Sequence, residues 1–118
     1  MKEDNVILLK SKGFALRTIN LYKYMINEKK EYVLSKQLLR SGTSVGASVR
    51  EAIRGHTKDE FYYKLTNALK EAEESAYWLE LLYESDYINE KEFKSIYDDC
   101  NEIIAILVAI KKTKKIKN

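Results

Sequence analysis

The sequence predicts an all-α fold, an antiparallel up-down-up-down four-helix bundle, and three observations carry that prediction. The 118 residues include no Pro and only four Gly, so little in the composition interrupts long helices. The dipeptides Asn-Gly and Asp-Gly, which mark tight hairpins, do not occur. Apolar residues recur at intervals of three, four and seven over four successive segments, the period of a helix buried along one face. A chain of this length forms one domain, 1–118, and buries roughly two-thirds of the surface its unfolded form exposes, so it needs neither metal nor disulfide to hold a core.

The first helix is expected from about Asn5 to Glu28, on the pairs Ile7/Leu8, Phe14/Ala15, Leu21/Tyr22 and Met25/Ile26, with a turn over Asn27–Glu31. The second runs from about Ser35 to Arg54, with Leu34, Leu38, Ser41, Val45, Val49 and Ala52 on one face and Gly55 where a C-terminal cap would fall. The third opens on Thr57-Lys58-Asp59-Glu60, a capping box in which hydroxyl and carboxylate each satisfy an orphaned backbone N–H. It continues to about Ser85 with three adjacent, mostly apolar columns: Phe61/Ala68/Ser75/Leu82, Leu65/Ala72/Leu79 and Tyr62/Leu69/Ala76/Tyr83. The fourth spans about 90–113, opening near Asn89 with Glu92 at the capping position. It turns Phe93, Ile96, Tyr97, Cys100, Ile103, Ile104, Leu107 and Val108 inward.

Several function classes are excluded or disfavoured by what the chain lacks. One Cys, Cys100, and one His, His56, rule out an internal disulfide and any multi-histidine or cysteine-rich metal centre within a subunit. Cys100 falls on the apolar face of the fourth helix and His56 in a turn without a triad partner, so no nucleophile is equipped for catalysis. The expectation is a non-enzyme with no cofactor and no metal. The apolar run Val6–Leu9 is too short for a signal h-region and no later run approaches a membrane span. A cytoplasmic protein without membrane contact is therefore expected.

Charge is uneven. The net charge is +3, yet residues 57–86 hold three basic and eight acidic side chains while residues 1–30 hold seven and three. On the second helix Lys36, Arg40, Arg50 and Arg54 lie within about 80° of one another on the wheel. That stripe, together with the lysines of Lys111–Lys117, is the candidate contact with nucleic-acid phosphates; the competing reading is a solvated face ion-paired to the acidic third helix. Tyr63, Tyr77, Trp78 and Leu81 point off the core face of the third helix and form a candidate oligomer interface. Arg40, Ser44, Glu51, Glu71 and Glu74 are expected to organise the bundle, with Glu51 and Glu71 partly buried and satisfied by Arg40, Ser44 or a neighbouring hydroxyl.

The segment Leu39–Ala52 places seven small residues inside a helix, two of them Gly at about 1 kcal/mol each relative to Ala. Close approach of another helix is the expected compensation, with Ser and Thr hydroxyls bonding back to the preceding turn. The string Gln37-Leu38-Leu39-Arg40-Ser41-Gly42-Thr43-Ser44-Val45-Gly46-Ala47 is followed by Glu51-Ala52, Phe61, Ala68-Leu69-Lys70-Glu71-Ala72-Glu73-Glu74 and Tyr77-Trp78-Leu79. This order of motifs resembles the four-helix-bundle proteins encoded in bacterial 23S ribosomal-RNA intervening sequences, whose distant relatives include the accessory variability proteins of diversity-generating retroelements. The chain departs from the pattern at Ser48, where Asn is usual. The resemblance implies a non-enzymatic bundle that assembles into a ring of five copies and associates with RNA or DNA or with a nucleic-acid enzyme. A protein-binding adaptor with no nucleic-acid role is the alternative.

Overall fold

Local capping chemistry sets the helix boundaries. The computed structural model describes residues 2–117, with side chains described over 5–113. It contains α1 (Lys2–Tyr24), a π-helical turn (Met25–Lys29), α2 (Leu34–Ile53), α3 (Lys58–Glu84) and α4 (Glu90–Lys117), and no strand among the described residues. The π turn carries the first helix past the predicted start of the turn at Asn27. It stops at Lys30, which adopts the left-handed region (φ 55°) and donates its N–H to the Met25 carbonyl. The Glu92 N–H donates to Asn89 Oδ1 (2.8 Å) while the Asn89 N–H donates to Glu92 Oε1 (2.9 Å), a reciprocal capping box for α4. At α3 the Glu60 N–H donates to Thr57 Oγ1 (3.1 Å), but the Glu60 carboxylate takes the N–H of His56 rather than that of Thr57.

Two expectations for the ends and faces are corrected. Gly55 is not a left-handed cap, since no glycine has positive φ; α2 ends instead with the Arg54 N–H bonded to Arg50 and Ala52 carbonyls. Gly55 sits in a tight place, where a methyl would lie 3.3 Å from both the Ala52 oxygen and the Glu60 side chain and would make one of them give by a few tenths of an ångström. Val108, placed inward from sequence, is 36% exposed, because Ile103 and Leu107 carry the buried line of α4.

One core joins all four helices. α1 contributes Ile7, Ser11, Phe14 and Thr18 and the π turn Met25, with the Thr18 side chain against Gly42 and the Ser11 backbone against Gly46. A methyl added to Gly42 would sit 2.5 Å from Thr18 Cγ2, and one added to Gly46 3.4 Å from the Ser11 carbonyl, so α1 and α2 approach at the distance the small residues predict. The hydroxyls of Thr43 and Ser44 bond back to the Leu39 and Arg40 carbonyls at 2.7 Å, as expected for Ser and Thr inside a helix. α2 meets α3 through a buried Ser41 Oγ to Ser75 Oγ hydrogen bond of 2.8 Å. α3 and α4 meet through larger groups, with Phe93 stacked between Tyr83 and Tyr97 at 4.5 Å from each ring. The Tyr97 hydroxyl donates to Glu80 (2.8 Å), which raises its pKa, burial adding to the effect. α1 and α4 are tied at their rims by Lys10–Glu102 (2.8 Å) and Arg17–Asp99 (2.6 Å). No helix among the described residues is long and apolar enough to cross a membrane.

Candidate nucleic-acid interface

The basic stripe of α2 is split by its neighbours. Lys36, Arg40, Arg50 and Arg54 are all exposed, but Arg40 reaches across to α3. Its guanidinium pairs with Glu71 (3.4 Å) and with Glu74, and its Nε donates to Gln37 (3.3 Å). Glu74 also accepts the Trp78 indole N–H at 2.9 Å. Arg40, Glu71, Glu74 and Trp78 therefore form one polar cluster bridging α2 and α3. Arg40 is half exposed, so the ion pairs stabilise by no more than about 1 kcal/mol and chiefly fix its direction.

Two members of the predicted polar set fall elsewhere. Glu51 is exposed and pairs with Lys64 (3.5 Å), not with Arg40 or Ser44. Three turns of α2 separate it from Arg40, and at that height α3 presents Lys64 rather than an acid. Ser44 bonds to the Arg40 carbonyl and leaves the carboxylates alone.

Among the described residues the buried acid is Glu31, which sequence reasoning left in a turn. At 6% exposure, its carboxylate accepts the N–H groups of Val33 (2.8 Å), Leu34 (2.9 Å) and Ser35 (2.7 Å), capping α2. Burial pushes its pKa up, but the Ser35, Leu34 and Val33 N–H bonds outweigh that and hold it below the ordinary value. A signal was present. Val33, in the cap position of α2, has no side-chain acceptor, so the nearest upstream carboxylate had to serve.

The other end of the stripe opens onto a groove of about 680 Å³ whose rim includes Lys12 from α1, Arg50 and Arg54 from α2, and His56 and Lys64 beside and on α3. Gly46, Ala47 and Gly55 leave its floor low, because the helices touch there backbone to backbone. Its two acids are engaged: Glu51 by Lys64, and Glu60 by the His56 N–H (2.8 Å). Lys12, Arg50 and Arg54 have no carboxylate partner among the described residues, so three cations face one open concavity. Lys12, His56 and Lys64 were absent from the sequence-based set because they lie on other elements than α2. Lys36 stands alone at the opposite end of α2. The tail lysines are only partly placed, since the side chains of Lys114, Lys115 and Lys117 lie outside the described residues.

On the predicted interface, Tyr63 is 64% and Tyr77 54% exposed, while Trp78 and Leu81 are half-buried. Tyr77 and Trp78 rings lie 5.2 Å apart. Cys100 is fully buried, its thiol donating to the Ala72 carbonyl (3.2 Å), and burial pushes its pKa up to about 12, with Asp99 adding to the shift.

Residues 3–109 match the family model of the 23S rRNA-intervening sequence protein. The chain is also similar to the crystal structure of a protein with unknown function from the S23 ribosomal protein family of Bacteroides thetaiotaomicron. The two are 51% identical and superpose with a TM-score of 0.92, the match covering 93% of this chain and 98% of that one. No curated protein matches the chain significantly. With the family model spanning most of its length and the motifs of α2 and α3 in the family's order, the chain belongs to the 23S rRNA-intervening sequence protein family.

Proposed function

We propose that this chain is a non-catalytic scaffold that assembles into a ring-shaped homo-oligomer and holds nucleic-acid phosphates in the groove between α1 and α2. The observation that carries the reading is the convergence of Lys12, Arg50 and Arg54, none paired with a carboxylate among the described residues, on one groove with a low, small-residue floor. Cations in a concavity raise the local positive potential beyond what a flat surface of equal charge achieves. The ligand class is a phosphodiester backbone, bound through counterion release with little base preference. The lysines of Lys111–Lys117 are a second basic segment of the same proposal, while Lys36, at the opposite end of α2, and Arg40, bound to α3, contribute least.

The subunit is a single domain over 1–118 with helices alternating in direction. Support comes from the register of contacts: Lys10 meets Glu102 while Arg17 meets Asp99, and Arg40 meets Glu74 while Glu51 meets Lys64. In each pair of helices, advancing along one means retreating along the other. The count of five subunits is the one the family resemblance implies. A catalytic role lacks support from the only thiol, which is sealed and protonated at neutral pH. A cytoplasmic setting is part of the same proposal.

The test is fluorescence anisotropy of a labelled single-stranded RNA against the protein at several salt concentrations. Wild type should bind at low salt and weaken as salt rises, with a log–log slope of about −0.7 per phosphate neutralised. The triple variant Lys12→Ala, Arg50→Ala, Arg54→Ala should lose about two units of slope, while Lys36→Ala should lose less than one. Equal slopes for wild type and the triple variant would remove the groove from the reading. No binding by wild type at any salt would favour the protein-adaptor alternative.

A further inference from the structure

Two solvent faces of the bundle are unlike the rest of its surface. On α1, Leu9 and Leu16 are 72% and 53% exposed and lie seven residues apart in one column, which continues to Lys23. Gly13 lies beside this column, and a methyl built on it would meet no atom within 4 Å, so the helix backbone itself is open there. These positions are directly opposite Ile7, Ser11, Phe14 and Thr18, which face the core. On α3 the corresponding column, opposite Leu65, Ala72 and Leu79, runs Tyr63, Lys70, Tyr77, Glu84. Large apolar groups aligned on a helix's solvent side, rather than scattered, are the mark of a covered surface.

The charges around the two columns are of opposite sign. Lys23 ends the α1 column and has no acidic partner among the described residues. Glu73 and Glu84 flank the α3 column, are exposed, and have no basic partner there. Two cations run against this pattern: Lys70 in the column itself, and Lys64, whose ammonium lies 5.9 Å from the Tyr63 ring centre but is neutralised by Glu51. In the chain as a whole, residues 1–30 carry seven basic and three acidic groups and residues 57–86 three and eight. α1 and α3 are each packed between α2 and α4, so their outer faces point to opposite sides of the bundle.

We infer that the outer face of α1 and the outer face of α3 are the two halves of one contact between copies of this chain, the apolar column of α1 seated on the tyrosine column of α3 of the next copy. Like columns do not pair. Two α1 faces would oppose lysines, and two α3 faces would oppose glutamates, whereas the mixed contact brings opposite charges around an apolar centre. Such a contact is heterologous. Each copy uses one face to hold and the other to be held, so the contact repeats head to tail and closes into a ring when the rotation per step divides a full turn. The inference rests on the self-association proposed above and adds to it the surface on α1.

The test uses two double variants of the full chain, Leu9→Asp with Leu16→Asp and Tyr63→Asp with Tyr77→Asp. All four positions are exposed, so the helices should persist, as checked by far-UV circular dichroism. By light scattering, wild type should be an oligomer, and each variant alone should fall to the 13.8 kDa monomer. Mixed in equal amounts, the two variants still own one intact α1 face and one intact α3 face. The mixture should therefore form a dimer of twice the monomer mass and grow no further.

A wild-type oligomer that survives the α1 substitutions would overturn this inference and leave self-association standing. Monomeric variants that stay monomeric on mixing would also overturn it, since a contact between like faces cannot be complemented. A monomeric wild type would remove the self-association reading itself. Should a variant unfold, Gly13→Cys mixed with Tyr77→Cys and treated with a short bis-maleimide decides the matter. Crosslinks formed between the two variants, but by neither alone, support the heterologous contact, and their absence from a wild-type-sized oligomer refutes it. Buried Cys100 does not react under these conditions.

Discussion

α2 and α4 both bury one face along the same core, yet they pack by opposite means. The buried face of α2 is Ser35, Leu38, Ser41, Gly42, Val45, Val49 and Ala52, and it lets α1 come within a methyl's reach of its backbone. The buried line of α4 is Ile96, Cys100, Ile103 and Leu107, flanked by Phe93 and Tyr97, and it fills space with side chains. A small-residue seam gains from dispersion between backbones and from short hydroxyl bonds, and it tolerates no growth. A large-residue seam gains from area and tolerates no truncation.

The contrast is broken most severely by truncation in α4. Ile103→Ala, at 1% exposure, should cost about 3 kcal/mol by urea unfolding, the loss of buried methyls plus the cavity left behind. On α2 the damaging change is enlargement. Gly42→Ala should cost about 2 kcal/mol despite the better helix propensity of Ala, because the new methyl meets Thr18 Cγ2 at 2.5 Å. Adding Thr18→Ala should restore most of that loss, a coupling that a propensity effect would not show. Gly46→Ala, where the nearest atom is 3.4 Å away, provides the control and should change the midpoint little.

Glu31→Gln sharpens the comparison at the start of α2, where the small-residue seam depends on a charged cap rather than on burial alone. It should cost about 1 kcal/mol at neutral pH. Because the folded-state pKa lies below the ordinary 4.5, the stabilisation is complete above that value and is lost as pH falls through the folded pKa. The gap in melting temperature between wild type and variant should therefore narrow as pH is lowered below 4.5, and a constant gap would reject the charged cap. The smallest effect is expected at the α2–α3 contact. Ser41→Ala should cost under about 1 kcal/mol, since Ser75 retains the Glu71 carbonyl at 2.9 Å, and the Ser41→Ala, Ser75→Ala pair should cost less than the sum of its parts.

Much of this is legible along the chain. Thr57/Glu60 and Asn89/Glu92 mark two helix starts because a cap is a local arrangement of three or four residues. The columns of α3 mark its buried face because 3.6 residues per turn turns spacing into direction. Gly42 and Gly46 announce a close neighbour, though not which one. Ser11 and Thr18 were passed over because a hydroxyl carries no apolar signal, and their burial follows only from the glycines opposite. Glu31 was missed because the N–H groups it accepts belong to Val33, Leu34 and Ser35, and the sequence reading begins the second helix only at about Ser35.

The candidate site divides in the same way. The sequence alone determined that α2 carries four cations on one side, since a helical wheel needs nothing beyond period and order. Tertiary structure decided which of them stay unpaired. Arg40 lies beside Glu71 and Glu74, and Arg50 and Arg54 lie beside Lys12, only because α3 and α1 flank α2 in that register. Charge pairing acts over a few ångströms between residues tens of positions apart, so it is fixed when the helices pack and not before.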